Sequence, residues 1–225
     1  MTIALLSIFR NSAGRHISLY FQRVRALRAA LPAETLLRLV LVEGDSTDRT
    51  TAQLCEEAAA AGLPLDLVTR NHGGPVYGST EEPTRLQALS YVVNGGLDAV
   101  RETDDVVVYV ESDLIWEPAT ILRLISQLAP GKDVLAPLIF AGTAFYDIWA
   151  FRKSGIRFGP FEPFHHELVV GDLTEVDSVG SCLVMRAEVA RNVRMSDYAL
   201  VQFCDRAREQ GYHIWADARE RIHHP

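Results

Sequence analysis

Residues 106–110 read Val106-Val107-Val108-Tyr109-Val110, an unbroken run of β-branched and aromatic residues with Asp105 before it and Glu111 after it. A strand half-exposed to water would alternate apolar and polar residues. A continuous run implies an interior strand covered on both faces, and such strands belong to parallel sheets sandwiched between helices. The same rhythm extends through the first 140 or so residues. Further strands are expected near Ile3–Phe9, Arg38–Glu43, Leu65–Thr69 and Asp133–Pro137, with Asp105–Val110 among them. Between them, Ile17, Tyr20, Phe21, Val24, Leu27 and Leu31 form one helical apolar stripe, and Leu86, Leu89, Val92, Val93 and Leu97 form another. Strands alternating with helices imply an α/β fold, a mostly parallel central sheet flanked by helices.

Beyond Pro137 the pattern becomes aromatic and irregular, with Gly, Pro and His interruptions, as expected of loops and short strands over one edge of the sheet. A strand is expected over Val176–Met185, a helix closing at Arg206–Gly211, and a last strand over Tyr212–Ala216. With 225 residues and 48% hydrophobic content, one domain is expected, residues 1–137 forming a nucleotide-binding half and 138–225 an acceptor-side half. The net charge of −7 and the lack of a Lys/Arg-rich block argue against nucleic acid as a partner. The first apolar stretch, Thr2–Phe9, lacks a positive leader and is too short to span a bilayer. Cys55, Cys182 and Cys204 have no CxxC spacing and read as small buried hydrophobes in a reducing compartment. The cytoplasm is the expected location, with peripheral membrane association as the alternative.

In open α/β sheets ligands gather where the strands end, and the buried run ends on Glu111-Ser112-Asp113. Two carboxylates one residue apart suit a hard divalent cation, Mn²⁺ or Mg²⁺, holding a diphosphate. Glu43 and Asp45 leave another strand, where carboxylates can accept hydrogen bonds from a nucleobase or ribose, and Asp48 reads as a helix cap. Arg85 opens a helix after His72-Gly73-Gly74-Pro75-Val76-Tyr77-Gly78, and its paired donors suit a diphosphate. That stretch contains neither GxGxxG nor a Walker lysine, and the chain's two lysines are Lys132 and Lys153. His165-His166-Glu167 reads as a surface loop.

In order and spacing, Val42-Glu43-Gly44-Asp45-Ser46-Thr47-Asp48, Asn71-His72-Gly73, Arg85, the DxD-like Glu111-Ser112-Asp113, Ser178-Val179-Gly180-Ser181 and the terminal His223-His224-Pro225 resemble the GT-A glycosyltransferases, over nearly the whole chain. The resemblance implies a Rossmann-like GT-A fold and transfer of a hexose from a nucleoside diphosphate sugar to a hydroxyl acceptor. It implies that Asp113 binds metal together with His223 or His224, and that Glu111 meets ribose or reaches the metal through water. Ser7, Phe9 and Arg10 would join Glu43, Asp45, Glu111 and Ser112 around the nucleotide. Asp113, Asp177 and Arg85 would serve catalysis, while Gly180, Trp149 and Tyr146 would meet the donor or acceptor sugar. Tyr146 to Arg152 with Val176 to Gly180 looks most like the fungal mannan-polymerase mannosyltransferases, which places GDP-mannose ahead of a UDP-sugar.

One departure from that pattern stands out. Many inverting members carry an acidic pair just before the Arg-containing helix, where this chain reads Tyr198-Ala199-Leu200-Val201-Gln202-Phe203. The gap fits a retaining enzyme, a different acid such as Asp177, Asp147 or Asp172, or a non-catalytic nucleotide-sugar-binding subunit. A sugar-phosphate nucleotidyltransferase would want a lysine in the loop after the first strand, and Ser7 to Arg15 has none.

Overall fold

A computed structural model describes residues 1–78 and 81–225. Strands β1 (Thr2–Phe9), β2 (Leu36–Glu43), β3 (Leu65–Thr69), β4 (Val106–Val110) and β5 (Val134–Ala141) alternate with helices α1 (Ile17–Ala30), α2 (Thr50–Ala61), α3 (Pro83–Leu97) and α4 (Pro118–Gln127). The short strands β6 (Ala144–Phe145), β7 (Arg152–Lys153), β8 (Ile156–Arg157) and β9 (Leu173–Glu175) follow. Then come β10 (Cys182–Arg186), α5 (Ala187–Asn192), α6 (Ala199–Glu209) and β11 (Ile214–His223).

The main sheet runs β3-β2-β1-β4-β10-β5-β11-β9. Its first four strands are mutually parallel, as are β5 and β11, while β10 lies antiparallel between β4 and β5. A strand from late in the chain is thus inserted between two earlier ones. Alternation along each strand divides the core. Leu5, Leu39 and Val108 face Phe21, Leu54 and Ile121 of α1, α2 and α4. Leu6, Val40 and Val107 face Val93 of α3 and Phe203 of α6. Proline at the first turn of α3 and of α4 sets helical φ where the N–H has no intrahelical partner anyway. Gly62, left-handed at φ 64°, ends α2 with its N–H turned back to Ala58 and Ala59.

Four expectations change. Val176–Met185 is not one strand: residues 176–181 form an irregular crossing between β9 and β10, tied by Val176 N–H to the Ile214 carbonyl (2.9 Å) and by Arg152 N–H to the Ser178 carbonyl (3.1 Å). The last strand extends to His223, with a register shift between Asp217 and Arg221. Cys55 is exposed on α2, whereas Cys182 and Cys204 are buried. His165 also differs from a surface residue, since it is buried and stacked on Phe158. Among the described residues no helix is long and apolar enough to cross a membrane.

Candidate functional site

The C-terminal ends of β1, β2 and β4 open together on a cleft of about 410 Å³. Phe9 and Arg10 from β1, Gly44 after β2 and Glu111, Ser112 and Asp113 after β4 line it. Helix α3 supplies Arg85, Leu89 and Val92 as its wall. Gly44 is required by packing: a Cβ there would overlap the carbonyl of Arg70 where the ends of β2 and β3 close.

The Gly-rich segment is held over the cleft by its own polar network. Arg10 donates to the carbonyls of Pro75 (2.7 Å) and Gly74 (2.8 Å) and lies 3.1 Å from His72 Nε2. Asp45, left-handed at φ 57°, accepts the N–H groups of His72 (2.9 Å) and Gly73 (3.1 Å), and its own N–H donates to Asn71 (2.8 Å). Burial alone would raise the Asp45 pKa, but these N–H donors hold it below the usual carboxylate value. Arg10 and Asp45 therefore shape the loop as well as the cleft.

The acidic step sits at the other end. Glu111 N–H donates to the Ser181 carbonyl (3.0 Å), and Ile115 exchanges backbone hydrogen bonds with His223 (2.7 and 2.8 Å). This docks the end of β11 onto the loop after β4. His224 Nε2 consequently lies 3.6 Å from Asp113 Oδ2, and the His224 ring stacks on Tyr146 at 4.0 Å. Of the two terminal histidines, His224 adjoins the acidic step. His223, one residue earlier, instead lines a separate pocket with Phe140 and Arg221.

Carboxylates crowd here. Burial, then the charges of Asp113 and Asp147, push Glu111 up to about 8, against the opposing charge of Arg85 and the Tyr109 hydroxyl. The neutral form of Glu111 is thus favoured while no cation is bound. Asp147, brought in by the irregular segment after β6, is raised to about 6, chiefly by burial, and its Oδ2 is buried without a hydrogen-bond partner. Such an arrangement is short of positive charge. A divalent cation at Asp113 and His224 would supply it and would reverse the local pKa order. Among the described residues no three His, Cys, Asp or Glu side chains converge on one metal position. Asp113 and His224 form a two-donor edge, which suits a hard cation that takes its remaining ligands from phosphate oxygens and water.

Several expected residues take other roles. Ser7 is fully buried, donating to the Val110 carbonyl (2.7 Å) and accepting from Tyr20 (2.9 Å), so its hydroxyl ties β1 to β4 beneath the cleft. Glu43 is buried and accepts from Ser46 N–H (3.0 Å) and the Thr51 hydroxyl (3.2 Å), organising the turn into α2. Asp177 binds Gly155 N–H (2.6 Å) and pairs with Arg208 (3.4 Å), so its carboxylate is occupied by the β7–β8 hairpin and α6. Trp149 lies under Arg152, its ring centre 5.6 Å from the guanidinium carbon. Gly180 makes room for the Asp147 carboxylate and the Ala150 methyl rather than opening a surface for sugar. Gly180→Ala is expected to displace Asp147 and cost about 1–3 kcal/mol by overpacking. Urea denaturation would test this, and an unchanged midpoint would count against it.

Sequence reasoning gave no role to His16. Its Nε2 lies 3.1 Å from the Ser112 hydroxyl, its ring stacks over Phe9 at 6.2 Å, and burial lowers its pKa. A single histidine ahead of a helix carries no periodic or spacing signal. Asp147, one of three acids open as alternatives, is buried against Gly180.

No protein-family model and no curated protein matches the chain. Solved structures do resemble it. A mannosyltransferase from Pyrobaculum calidifontis in complex with GDP-Man and Mn²⁺ aligns with a TM-score of 0.63 at 14% identity, covering 98% of this chain and 56% of that one. TarS from S. aureus in complex with UDP-GlcNAc aligns at 0.61 and 16% identity, covering 99% and 58%. Glucosyl-3-phosphoglycerate synthase from Mycobacterium tuberculosis, in complex with Mn²⁺, UDP and phosphoglyceric acid, aligns at 0.54 and 14% identity, covering 96% and 67%. The chain therefore spans between 56% and 67% of the length of these solved proteins. At such identities the likeness speaks to architecture: the chain has the Rossmann-like GT-A glycosyltransferase fold.

Proposed function

We propose that this chain is a divalent-metal-dependent glycosyltransferase that moves a hexose from a nucleoside diphosphate sugar onto a hydroxyl acceptor. The observation carrying this reading is the convergence of Asp113, His224, Glu111 and Arg85 at the carboxyl ends of the parallel strands. Asp113 and His224 would hold Mn²⁺ or Mg²⁺, and the cation would neutralise charge on the departing diphosphate. Arg85 faces the same point from α3 and adds fixed positive charge where negative charge develops. Beside that cation the charged form of Glu111 would be favoured, and its carboxylate could accept a hydrogen bond from a ribose hydroxyl. Phe9, Gly44 and the loop held by Arg10 and Asp45 bound the space for the nucleoside.

For the acceptor hydroxyl, Asp147 replaces Asp177 as the candidate acid, because its charge acts on Glu111 and His224 and the Asp177 carboxylate is engaged elsewhere. GDP-mannose is the favoured donor. The Tyr146 to Arg152 resemblance supports it, while the shared fold occurs with both GDP-Man and UDP-sugar ligands and favours neither. A non-catalytic nucleotide-sugar-binding subunit is the second reading, favoured by the residues at 198–203.

Thermal shift with GDP, UDP, CDP and dTDP, each with Mn²⁺ or chelator, tests the proposal. A nucleotide at about 100 times its dissociation constant adds about 2.7 kcal/mol of stability. One diphosphate is expected to stabilise the chain only with metal. Stabilisation by none of them would overturn the donor reading, and binding without donor hydrolysis or transfer would favour the non-catalytic one.

A further inference from the structure

A second pocket, about 370 Å³, lies beside the end of β11 and is separate from the nucleotide cleft. Phe140, Phe161 and Phe164 supply its apolar surface, and Arg221, His223 and Glu162 its polar edge. Phe161 is 66% exposed although it is one of the largest apolar side chains in the protein. Arg221 is exposed, with its guanidinium carbon 4.9 Å from the centre of the Phe140 ring. Among the described residues neither the Arg221 guanidinium nor the His223 imidazole takes part in a hydrogen bond or ion pair. Most other arginines here are paired, as Arg38, Arg123 and Arg186 are. A cation resting on an aromatic face with no ion-pair partner within reach among the described residues retains its capacity for one.

We propose that this pocket is a subsite for an anionic saccharide, a sugar ring bearing a carboxylate or phosphate. A pyranose has an apolar C–H face, which suits the phenylalanine surface, and a rim of hydroxyls, which suits Glu162 and His223. Arg221 is the charge complement for its acidic group. An apolar cavity with a few converging polar groups is the usual form of a small-ligand site. Its position gives the subsite a use. Consecutive residues at a strand end point to opposite sides, so His223 faces this pocket while His224 faces Asp113. The backbone between them is held on both edges, by Ile115 and by the Phe140 carbonyl. A glycan anchored here would pass the end of β11, where the acidic step lies. As a statement about the acceptor, the inference rests on the glycosyl-transfer reading; as a statement about binding, it does not.

Isothermal titration with glucuronic acid, glucose 6-phosphate, glucose and inorganic phosphate tests it, using the chain as described together with Arg221→Gln, Phe161→Ala and Asp113→Ala. Both subsite substitutions are at exposed positions, so unchanged melting temperatures are expected to confirm that the variants fold. Glucuronic acid or glucose 6-phosphate should bind, with glucose and free phosphate each at least about tenfold weaker. Arg221→Gln and Phe161→Ala should each weaken the favoured ligand about tenfold or more, and Asp113→Ala should leave it intact. No binding, binding of phosphate alone, equal binding of glucose, or binding insensitive to Arg221→Gln would each overturn the proposal. Because Asp113→Ala separates the two sites, failure here is distinguishable from failure of the nucleotide panel.

Discussion

Asp113→Ala is expected to lower sugar transfer or donor hydrolysis by about 10²–10³-fold, the usual cost of removing one preorganised group that stabilises transition-state charge. Stability of the ligand-free chain should stay within about 0.5 kcal/mol of the parent. The side chain is 40% exposed, and its near neighbour is His224 at 3.6 Å, so its removal leaves no buried group stranded. The variant should also lose the nucleotide-induced thermal shift seen with Mn²⁺. Turnover measured against metal concentration discriminates between outcomes. Parental activity with an unchanged metal requirement would mean that the cation is held elsewhere, and the reading of the Glu111-Ser112-Asp113 step would have to be abandoned.

A second large effect is expected far from the cleft. Arg38 is 2% exposed within β2 and donates through Nε to Asp104 Oδ1 (2.8 Å), through a second nitrogen to Asp104 Oδ2, and also to Asp66 (2.6 Å) and the Ala99 carbonyl (3.0 Å). The Asp104 side chain is fully buried. Arg38→Ala should destabilise the protein by about 3–5 kcal/mol, because it leaves a buried carboxylate without its counter-charge. An Arg38→Met, Asp104→Leu double variant should recover most of that loss, since the uncompensated charge is gone. Urea denaturation of the single and double variants checks both statements. A loss below about 1 kcal/mol in the single variant would contradict them.

The same pair sets a pH dependence. Burial would raise the Asp104 pKa, but the Arg38 and Arg101 donors outweigh it and leave the folded value below the ordinary one. The resulting stabilisation is fully present above the unfolded value of about 3.9. It is lost as pH falls through the lower folded value. Asp104→Asn should therefore flatten the acid limb of the stability curve.

The layered architecture follows from local pattern. The run at 106–110 is a strand with nothing polar in it, those at 3–9, 38–43 and 65–69 are strands in which apolar residues outnumber isolated polar ones such as Ser7, Arg38 and Asp66, and the stripe of Ile17, Tyr20, Phe21, Val24 and Leu27 is a helix because its spacing puts these apolar groups on one side. The acidic step was legible for a related reason: chain order places it at the carboxyl end of an interior strand, where parallel topology exposes loop residues to a shared cleft. The end of β11 was not legible in this way. Asp217-Ala218-Arg219-Glu220-Arg221 looks like a solvated segment, yet Asp217 and Glu220 are buried because Arg219 and Gln127 satisfy the first and Arg123 the second. Those partners come in large part from α4, some 90 residues away in the chain, and no window of sequence contains the pairing.

The same division runs through the site. Residue type and strand order alone pointed to Glu111, Asp113 and Arg85, because their chemistry depends only on which strand or helix end they occupy. The choice between His223 and His224, the occupation of Asp177, and the use of Ser7 and Glu43 inside the fold depended on contacts between distant segments. Side-chain direction at a strand end is set by register, and register here comes from the pairing of β11 with β5 and with Ile115. Asp147 shows the limit most plainly. In sequence it is one acid in an aromatic stretch; its burial against Gly180, and with it its raised pKa, exists only once the crossing at 176–181 has been laid across it.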